Sequence, residues 1–391
     1  MHITHIITGL SQGGAESLLA ALIPRLDACG IRSSVVSLTQ VGSVGRQIAC
    51  LGVPVIGLGW RRASGTPAAL AALRKALGRL QPDVIHTWLY HADLAGGAVG
   101  RWLLGRPVVW SVHVTDLDPA GSPVSTHWVR AACGIASAWL PDRIICCSHS
   151  AYTAHLRLGY PAARMSVVPN GIDTRRFVPD ASARASLRSE LGLARDAPLL
   201  GMLARFHPQK DHKTFLRAVA KTLANYPQTH VVLCGRGVDA SNPVLTRWIR
   251  MQGLGKQLHL LGEREDTARI QAGLDVACLA SSAEALPLAV VEAMSCAVPV
   301  AATRVGDVSR VVGSTGYVVP PRRAEALAWA LEQLLALGDA GRRALGERAR
   351  RRAVRYFSID AVAQRYAAIY RRHALIHSRR DPKTAARSAR D

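Results

Sequence analysis

The chain is short of acid. Its 391 residues carry 27 Asp and Glu against 49 Lys and Arg, a formal net charge of +22. It is also short of aromatics, with 4 Phe, 8 Tyr and 8 Trp, and they are not interleaved with the basic runs. That excludes the aromatic and basic platforms on which single-stranded bases stack, so no nucleic acid is expected as partner. No apolar run reaches the ~18 residues of a spanning helix. The start, Met1-His-Ile-Thr-His-Ile-Ile-Thr-Gly9, meets a polar glycine-rich turn too soon for a secretory signal. The 8 cysteines form no C-x-x-C pair and sit mostly in apolar runs, where cysteine acts as a small hydrophobe; they read as reduced thiols in a cytoplasm. His86 and His91 flank a strand end, but no third ligand stands at a recognisable spacing, so neither a metal nor a cofactor is expected.

What is present is a basic chain with room for two cores, since one hydrophobic core stops growing near ~250 to 300 residues. An excess of positive charge favours an anionic partner: nucleic acid, a phosphorylated ligand or an acidic membrane face. Much of it lies late in the chain, in Arg342-Arg343, Arg350-Arg-Arg352, Arg371-Arg372 and Arg379-Arg380, as on a solvated helix and tail.

Short apolar runs alternate with longer segments of three- and four-residue periodicity, the pattern of parallel sheets covered by helices on both faces. Strands are expected at 2–8, 33–38, 53–58, 83–87, 108–113, 143–147 and 166–168, then at 199–204, 230–234, 258–261, 276–280, 298–302 and 317–319. Helices are expected at 16–28, 67–80, 213–226, 324–337 and 342–356. The rhythm breaks at Val168-Pro-Asn-Gly-Ile-Asp173 and the polar stretch that follows to Pro198, where two doubly wound domains should join. A last helix, 361–373, has an apolar stripe of Val362, Tyr366, Ile369 and Tyr370 that needs a surface to bury. From Ser378 the composition is that of a disordered tail.

Several loops have the chemistry of an anion site. Thr8-Gly-Leu-Ser-Gln-Gly-Gly-Ala-Glu16 follows the first strand and opens the first helix, where glycine lets a bound group approach the backbone and free N–H groups favour negative charge. It is neither the dinucleotide fingerprint nor the G-x-x-x-x-G-K-[ST] phosphate loop. His113 ends a strand at the carboxyl edge, where ligands bind in open α/β sheets. Arg205 and Lys210 follow the strand at 199–204 and together suit a diphosphate. In Ser281-Ser-Ala-Glu-Ala-Leu-Pro-Leu-Ala-Val-Val-Glu-Ala-Met294, Pro287 should open a helix running to about Cys296. Leu288, Ala289 and Val290 would then offer free N–H groups to an anion. Glu284 lies in the loop before that helix. Glu292 lies one turn deeper, among apolar neighbours and in need of a partner.

Gly13-Gly-Ala-Glu16, Val168-Pro-Asn-Gly-Ile-Asp173, Arg205 with Lys210, and Glu284-x7-Glu292, in that order, resemble the retaining nucleotide-sugar glycosyltransferases of the GT-B fold that use an E-x7-E motif (family four, glycosyl transferases group 1). The resemblance covers about residues 1 to 375. It implies two Rossmann-like domains facing a cleft. Residues 1–170 would bind the acceptor and 171–356 the nucleotide-sugar, a helix at 357–376 would return to the N-terminal domain, and 377–391 would be a basic tail. It implies that Gly13 and Gly14 meet the acceptor, with the Gly14 amide touching either donor phosphate or acceptor. Arg205 and Lys210 would stabilise the leaving diphosphate, with Leu288 and Ala289 as further donor contacts. Glu292 would hold the ribose, Glu284 would lie beside the transferred sugar, His113 would contact that sugar near the reacting carbon, and the stretch 262–264, with Arg264, would lie near the base.

Two positions depart from the pattern: Ala285 and Ala204 stand where the family commonly has glycine. The resemblance further implies a UDP- or GDP-sugar donor, a lipid-linked saccharide or similar acceptor, no metal, and work at the inner face of the cytoplasmic membrane. Trp60-Arg-Arg62 with the helix Leu70 to Leu77 would be the docking surface. A sugar-nucleotide epimerase or hydrolase, and a basic nucleic-acid-binding protein, are the competing readings.

Overall fold

A computed structural model describes residues 1–11, 13–60, 66–115 and 124–380. The chain divides into two compact units, the first of Met1–Gly171 with the segment from Ile359 onward, the second of Ile172–Ser358.

The first unit is built on a parallel sheet of β1 (His2–Ile7), β2 (Arg32–Ser37), β3 (Val55–Gly57), β4 (Val84–Trp88), β5 (Val108–Val112), β6 (Arg143–Cys146) and β7 (Met165–Val167), in the order β3-β2-β1-β4-β5-β6-β7. The second has β8 (Leu199–Leu203), β9 (His230–Cys234), β10 (Leu258–Leu260), β11 (Val276–Leu279), β12 (Val300–Thr303) and β13 (Gly316–Val319), in the order β10-β9-β8-β11-β12-β13. Every expected strand is present, with its ends within two residues. Both sheets are doubly wound, and in each the winding reverses once, between β1 and β4 and between β8 and β11. At such a reversal the loops leaving the carboxyl ends diverge to opposite faces and open a crevice for a ligand.

In the first unit one core packs β1, β2 and β4 against the Gly14–Asp27 helix and against the last helix, Ile359–Arg380. Val362, Tyr366 and Tyr370 are completely buried there, so the stripe that needed a surface finds it on the N-terminal sheet. The helix begins at Ile359 rather than 361 and continues to Arg380, through residues expected to be tail; residues 381–391 lie outside the described residues. Of the surface expected to dock, Trp60, Leu73 and Leu77 are turned into the core, and Arg61 and Arg62 lie outside the described residues.

In the second unit, the polar stretch taken for a join holds a helix, Ala181–Glu190, whose Asp180 cap accepts from the amides of Ser182 at 2.8 Å and Ala183 at 3.2 Å. Its inner face carries Ala183 and Leu187 beside Arg188, which is only 1% exposed and donates to Asp275 at 2.5 Å and to the Gly273 carbonyl at 2.9 Å. Apolar periodicity misses a helix anchored through a buried guanidinium. The change of unit therefore falls at Ile172, not across the whole stretch.

Candidate active site

In the second unit the loop after β8 is strapped to its neighbour, Ala204 N–H donating to Cys234 at 2.9 Å and Phe206 N–H to the Arg236 carbonyl at 2.8 Å. Pro208–Lys210 forms one 3-10 turn. Asp211, at φ 48°, then caps the His212–Asn225 helix by accepting from Thr214 N–H at 3.1 Å. Lys210 is thus held between two fixed turns at the carboxyl edge.

The loop after β11 comes to meet it. Ser282 N–H donates to the Gln209 carbonyl at 2.7 Å, and the Ser281 hydroxyl donates to Glu284 Oε1 at 2.7 Å. On that same oxygen Lys210 Nζ closes an ion pair, 74 residues away in sequence and largely buried. The loop after β12 presses from behind: a Cβ at Gly306, at φ 49°, would lie 2.0 Å from the Glu284 carbonyl oxygen. Glycine is required there by both conformation and space. Ala285 and Ala204 are not among the residues with positive φ, so an alanine at either position carries no backbone strain.

Pro287 is the N-cap of the Leu288–Ser295 helix rather than its first residue. Val290 N–H and Val291 N–H both turn back to the Pro287 carbonyl, at 3.1 and 3.3 Å. The free amides at this positive helix end are therefore those of Leu288 and Ala289, two and not three. Glu292 follows one turn deeper. Burial pushes its carboxyl up to about 7, while the Arg176 charge and the Gln271 amide draw it back; Gln271 Nε2 also donates to the Ala289 carbonyl at 3.1 Å. Arg205 stands exposed in the loop that carries Lys210. Arg264 is not aimed at the pair. Its guanidinium grips Asp266 through two bonds of 2.9 Å and Glu190 at 2.8 Å, tying the Ala181–Glu190 helix to the Thr267–Gly273 helix.

In the first unit Gly13 is the extended N-cap of the helix that Gly14 opens. Gly14 is exposed, and a Cβ there would meet nothing within 4 Å. The Glu16 side chain folds back over Gly13, so that a Cβ on Gly13 would collide with its carboxylate. Partial burial raises the Glu16 carboxyl.

His113 lies just beyond β5, stacked on the Trp88 indole with centroids 4.9 Å apart and planes 6° from parallel. Burial pushes its imidazole down to about 4, with the Asn170 amide acting the other way. The ring is therefore neutral at pH 7, one nitrogen a donor and the other an acceptor. Both nitrogens and Asn170 Oδ1 are buried, and none meets a partner at full hydrogen-bond geometry, although the Asn170 amide lies near enough to the ring to favour its charged form. Buried polar atoms of native proteins usually have partners; three that lack one at a carboxyl edge suit a polar ligand. Trp88 is itself held by its indole N–H donating to His5 Nδ1 at 3.3 Å, and Leu89, which follows it, takes φ 73°, a strained conformation for a leucine.

Trp88 and Asn170 are site residues that sequence reasoning passed over. The asparagine was in view inside the 168–173 turn, where it read as turn chemistry alone. His86 is not a metal ligand in waiting, because its Nε2 bonds to the Ser111 hydroxyl at 2.6 Å and its Nδ1 to the Tyr370 hydroxyl at 2.7 Å. Among the described residues no cluster of three His, Cys, Asp or Glu could hold a metal ion.

Two family models match the chain one after the other, Glycosyltransferase Family 4 over residues 12–176 and Glycosyl transferases group 1 over residues 183–352. The chain is similar to the GDP-mannose-dependent alpha-(1-6)-phosphatidylinositol monomannoside mannosyltransferase of Mycolicibacterium smegmatis, 34% identical over 301 residues that span 71% of this chain and 75% of that one. It is also similar to the UDP-Gal:alpha-D-GlcNAc-diphosphoundecaprenol alpha-1,3-galactosyltransferase of Escherichia coli, 30% identical over 59% of this chain and 60% of that one. In fold it matches HepE of Anabaena, solved with UDP, at a TM-score of 0.81 and 23% identity over 94% of this chain and 99% of that one. The lipopolysaccharide glycosyltransferase WaaG matches at a TM-score of 0.69 and 16% identity over 94% and 99%. The chain belongs to the family-four, group 1 glycosyltransferases of the GT-B fold, which take their sugar from a nucleotide-sugar.

Proposed function

We propose that this protein transfers a sugar, with retention of configuration and without a metal, from a UDP- or GDP-sugar to a lipid-linked saccharide or similar acceptor, at the inner face of a membrane where surface glycans are assembled. The observation that carries the reading is the Lys210–Glu284 pair at the β8/β11 reversal, beside the free Leu288 and Ala289 amides. Cations and a helix N-terminus stabilise charge developing on a diphosphate, and they do so without reorganising in the transition state. Lys210, Arg205 and the two amides fill the role that a divalent ion would otherwise take at the leaving group. Glu292, one turn below, accepts from the ribose hydroxyls, and Glu284 lies beside the sugar.

In the first unit the neutral His113 ring offers a nitrogen to a sugar hydroxyl, and the exposed Gly14 amide meets phosphate or acceptor. In the reaction the bond from the anomeric carbon to the phosphate oxygen breaks, and the acceptor oxygen bonds that carbon from the same face. The departing phosphate oxygen takes the acceptor proton. We assign no carboxylate as a covalent nucleophile and give catalysis to positioning and electrostatics. The two relatives named above act, by their names, on lipid-borne acceptors, which favours the same class here.

Thermal shift against UDP, GDP, ADP and their sugars, followed by turnover of the stabilising donor, tests the reading. Lys210→Ala should lower kcat by ~10²- to 10³-fold while leaving donor KM nearly unchanged. Unchanged turnover at saturating donor would overturn the role given to Lys210. Free or isomerised sugar without an acceptor product would favour the epimerase or hydrolase. Binding to generic duplex DNA at physiological salt, indifferent to nucleotide-sugar, would favour the nucleic-acid reading.

A further inference from the structure

The Val124–Ala136 helix is built inside out on its solvent side. Its inner face carries Cys133, whose thiol donates to the Tyr90 carbonyl at 3.3 Å, and Gly134, where a Cβ would lie 2.6 Å from the Leu158 carbonyl oxygen. Its outer face, where a surface helix is ordinarily polar, carries Val124 at 72%, Trp128 at 74% and Ile135 at 68% exposed, with Trp139 at 56% just beyond. The spacings of four and seven residues put Val124, Trp128 and Ile135 on one line along the helix, with the exposed Ala131 and Ala132 between them and Trp139 in the turn beyond. Single exposed apolar side chains are ordinary; a continuous line of them marks an interaction surface. The helix holds no Asp or Glu. The Arg101–Asp142 ion pair, at 3.0 Å, brings the segment bearing the exposed Trp102 and Leu103 up to the one that follows Trp139.

Beside this line runs an apolar groove of about 450 Å3, with Leu70, Leu94, Ala98, Val129 and Ala132 in its lining and Trp60 and Trp128 among its walls. Trp60 and the 90–98 helix both follow carboxyl ends of the sheet, the edge that also bears His113. One turn from Leu70 stands Arg74, exposed, followed by the exposed Lys75 and Arg79, and the Pro67–Leu80 helix also has no acid.

We propose that the Val124–Ala136 face, flanked by the basic side of the Pro67–Leu80 helix, is where this protein enters an anionic lipid leaflet, and that the groove takes one hydrocarbon chain from it. The proposal rests on the reading above of a lipid-linked acceptor. Tryptophan settles at the boundary between headgroups and chains, and lysine and arginine beside it answer anionic headgroups. The charge also decides against the other candidate occupant, since a second copy of this chain would bring +22 against +22.

The test uses the full chain sedimented with vesicles of phosphatidylcholine containing ~30% phosphatidylglycerol, and with phosphatidylcholine alone. Binding should require the anionic lipid, and Trp128→Glu with Ile135→Glu should weaken it at least ten-fold. The neutral pair Trp128→Ser with Ile135→Ser should weaken it at least five-fold, which separates lost insertion from added repulsion. Trp329→Glu, at an exposed tryptophan of the second unit, should change nothing. Lipids brominated in the chains should quench the wild-type tryptophan emission and not that of either double variant. Equal binding by wild type and both double variants, no wild-type binding at all, or a wild-type dimer that the double variants dissociate would each overturn the proposal. A nucleotide thermal shift without vesicle binding would sink the surface alone. Vesicle binding that the double variants lose, in a protein that no nucleotide stabilises, would sink the transferase reading and still support the surface.

Discussion

Glu292→Gln should give a protein that is more stable and binds nucleotide less well, and the gain in stability should depend on pH. Burial holds the Glu292 carboxyl at about 7, against an ordinary 4.5. Below pH 4.5 the group is protonated in both folded and unfolded chains and contributes nothing. Between 4.5 and 7 the unfolded chain releases the proton and the folded chain keeps it, so stability falls as pH rises; above 7 the whole cost is in place. At 1.36 kcal/mol for each pH unit, that cost is at most about 3 kcal/mol. Glutamine removes the titration. At ~2 to 4 °C per kcal/mol for domains of 150 to 250 residues, the variant should melt several degrees above wild type at pH 8 and level with it at pH 4.5.

Ribose hydroxyls hydrogen-bond best to an ionised carboxylate, so nucleotide should hold Glu292 in that form. The shift produced by UDP or GDP in wild type should then grow from pH 6 to pH 8, and in the variant it should be smaller and flat. Differential scanning fluorimetry at pH 5, 6, 7 and 8, with and without nucleotide, reads both effects. A gain equal at pH 5 and 8, or a loss at pH 8, would mean that the carboxylate is already satisfied in the free protein, and the ribose role would lose its support.

Gly14→Ala should leave Tm unchanged or slightly raised, because the Cβ enters open space at the start of a helix and alanine favours helix over glycine. Steady-state kinetics should show KM for donor or acceptor at least ten-fold higher, and unchanged kinetics would leave Gly14 without a role. Asp275→Ala strands the buried Arg188 guanidinium and should cost about 3 to 5 kcal/mol in urea denaturation; a much smaller loss would show that the Gly273 and Ala197 carbonyls suffice. Tyr370→Phe removes the hydroxyl bonded to His86 at 2.7 Å and should destabilise by about 1 to 3 kcal/mol in the same assay, whereas a neutral result would mean that a water replaces it.

The fold was legible because most strands are short apolar runs, and the central ones, such as β4, β5 and β11, are buried along their whole length, a pattern that survives without any neighbour in view. The second-unit site was legible because its parts are local: Lys210 follows one strand, Glu284 another, and Pro287 marks a helix start. Their contact was not, because which strand lies beside which depends on the order of the sheet. The Ala181–Glu190 helix was missed because its short buried face mixes Ala183 and Leu187 with an arginine, which leaves too little apolar period to read. The Val124–Ala136 helix was missed because its apolar side chains point both ways, which blurs the period that marks a surface helix. His113 was legible as a strand-end histidine, but its stacking on the Trp88 ring was not, because that is a contact between neighbouring strands. Counting three amides at residue 288 failed because the Pro287 carbonyl reaches the third.

The return of the last helix bears on how the molecule is made. Most of the first unit leaves the ribosome before the second, yet Val362, Tyr366 and Tyr370 belong to its core, so synthesis must pass Tyr370 before that core can close. The second unit is contiguous from Ile172 to Ser358 and can complete itself earlier. Synthesis thus inverts the order of the sequence. Throughout it, the nascent N-terminal sheet presents a greasy seam against the Gly14–Asp27 helix, open to chaperones and to misassembly. A fragment ending at Gly171 would carry that seam permanently, whereas one spanning 172–358 would not.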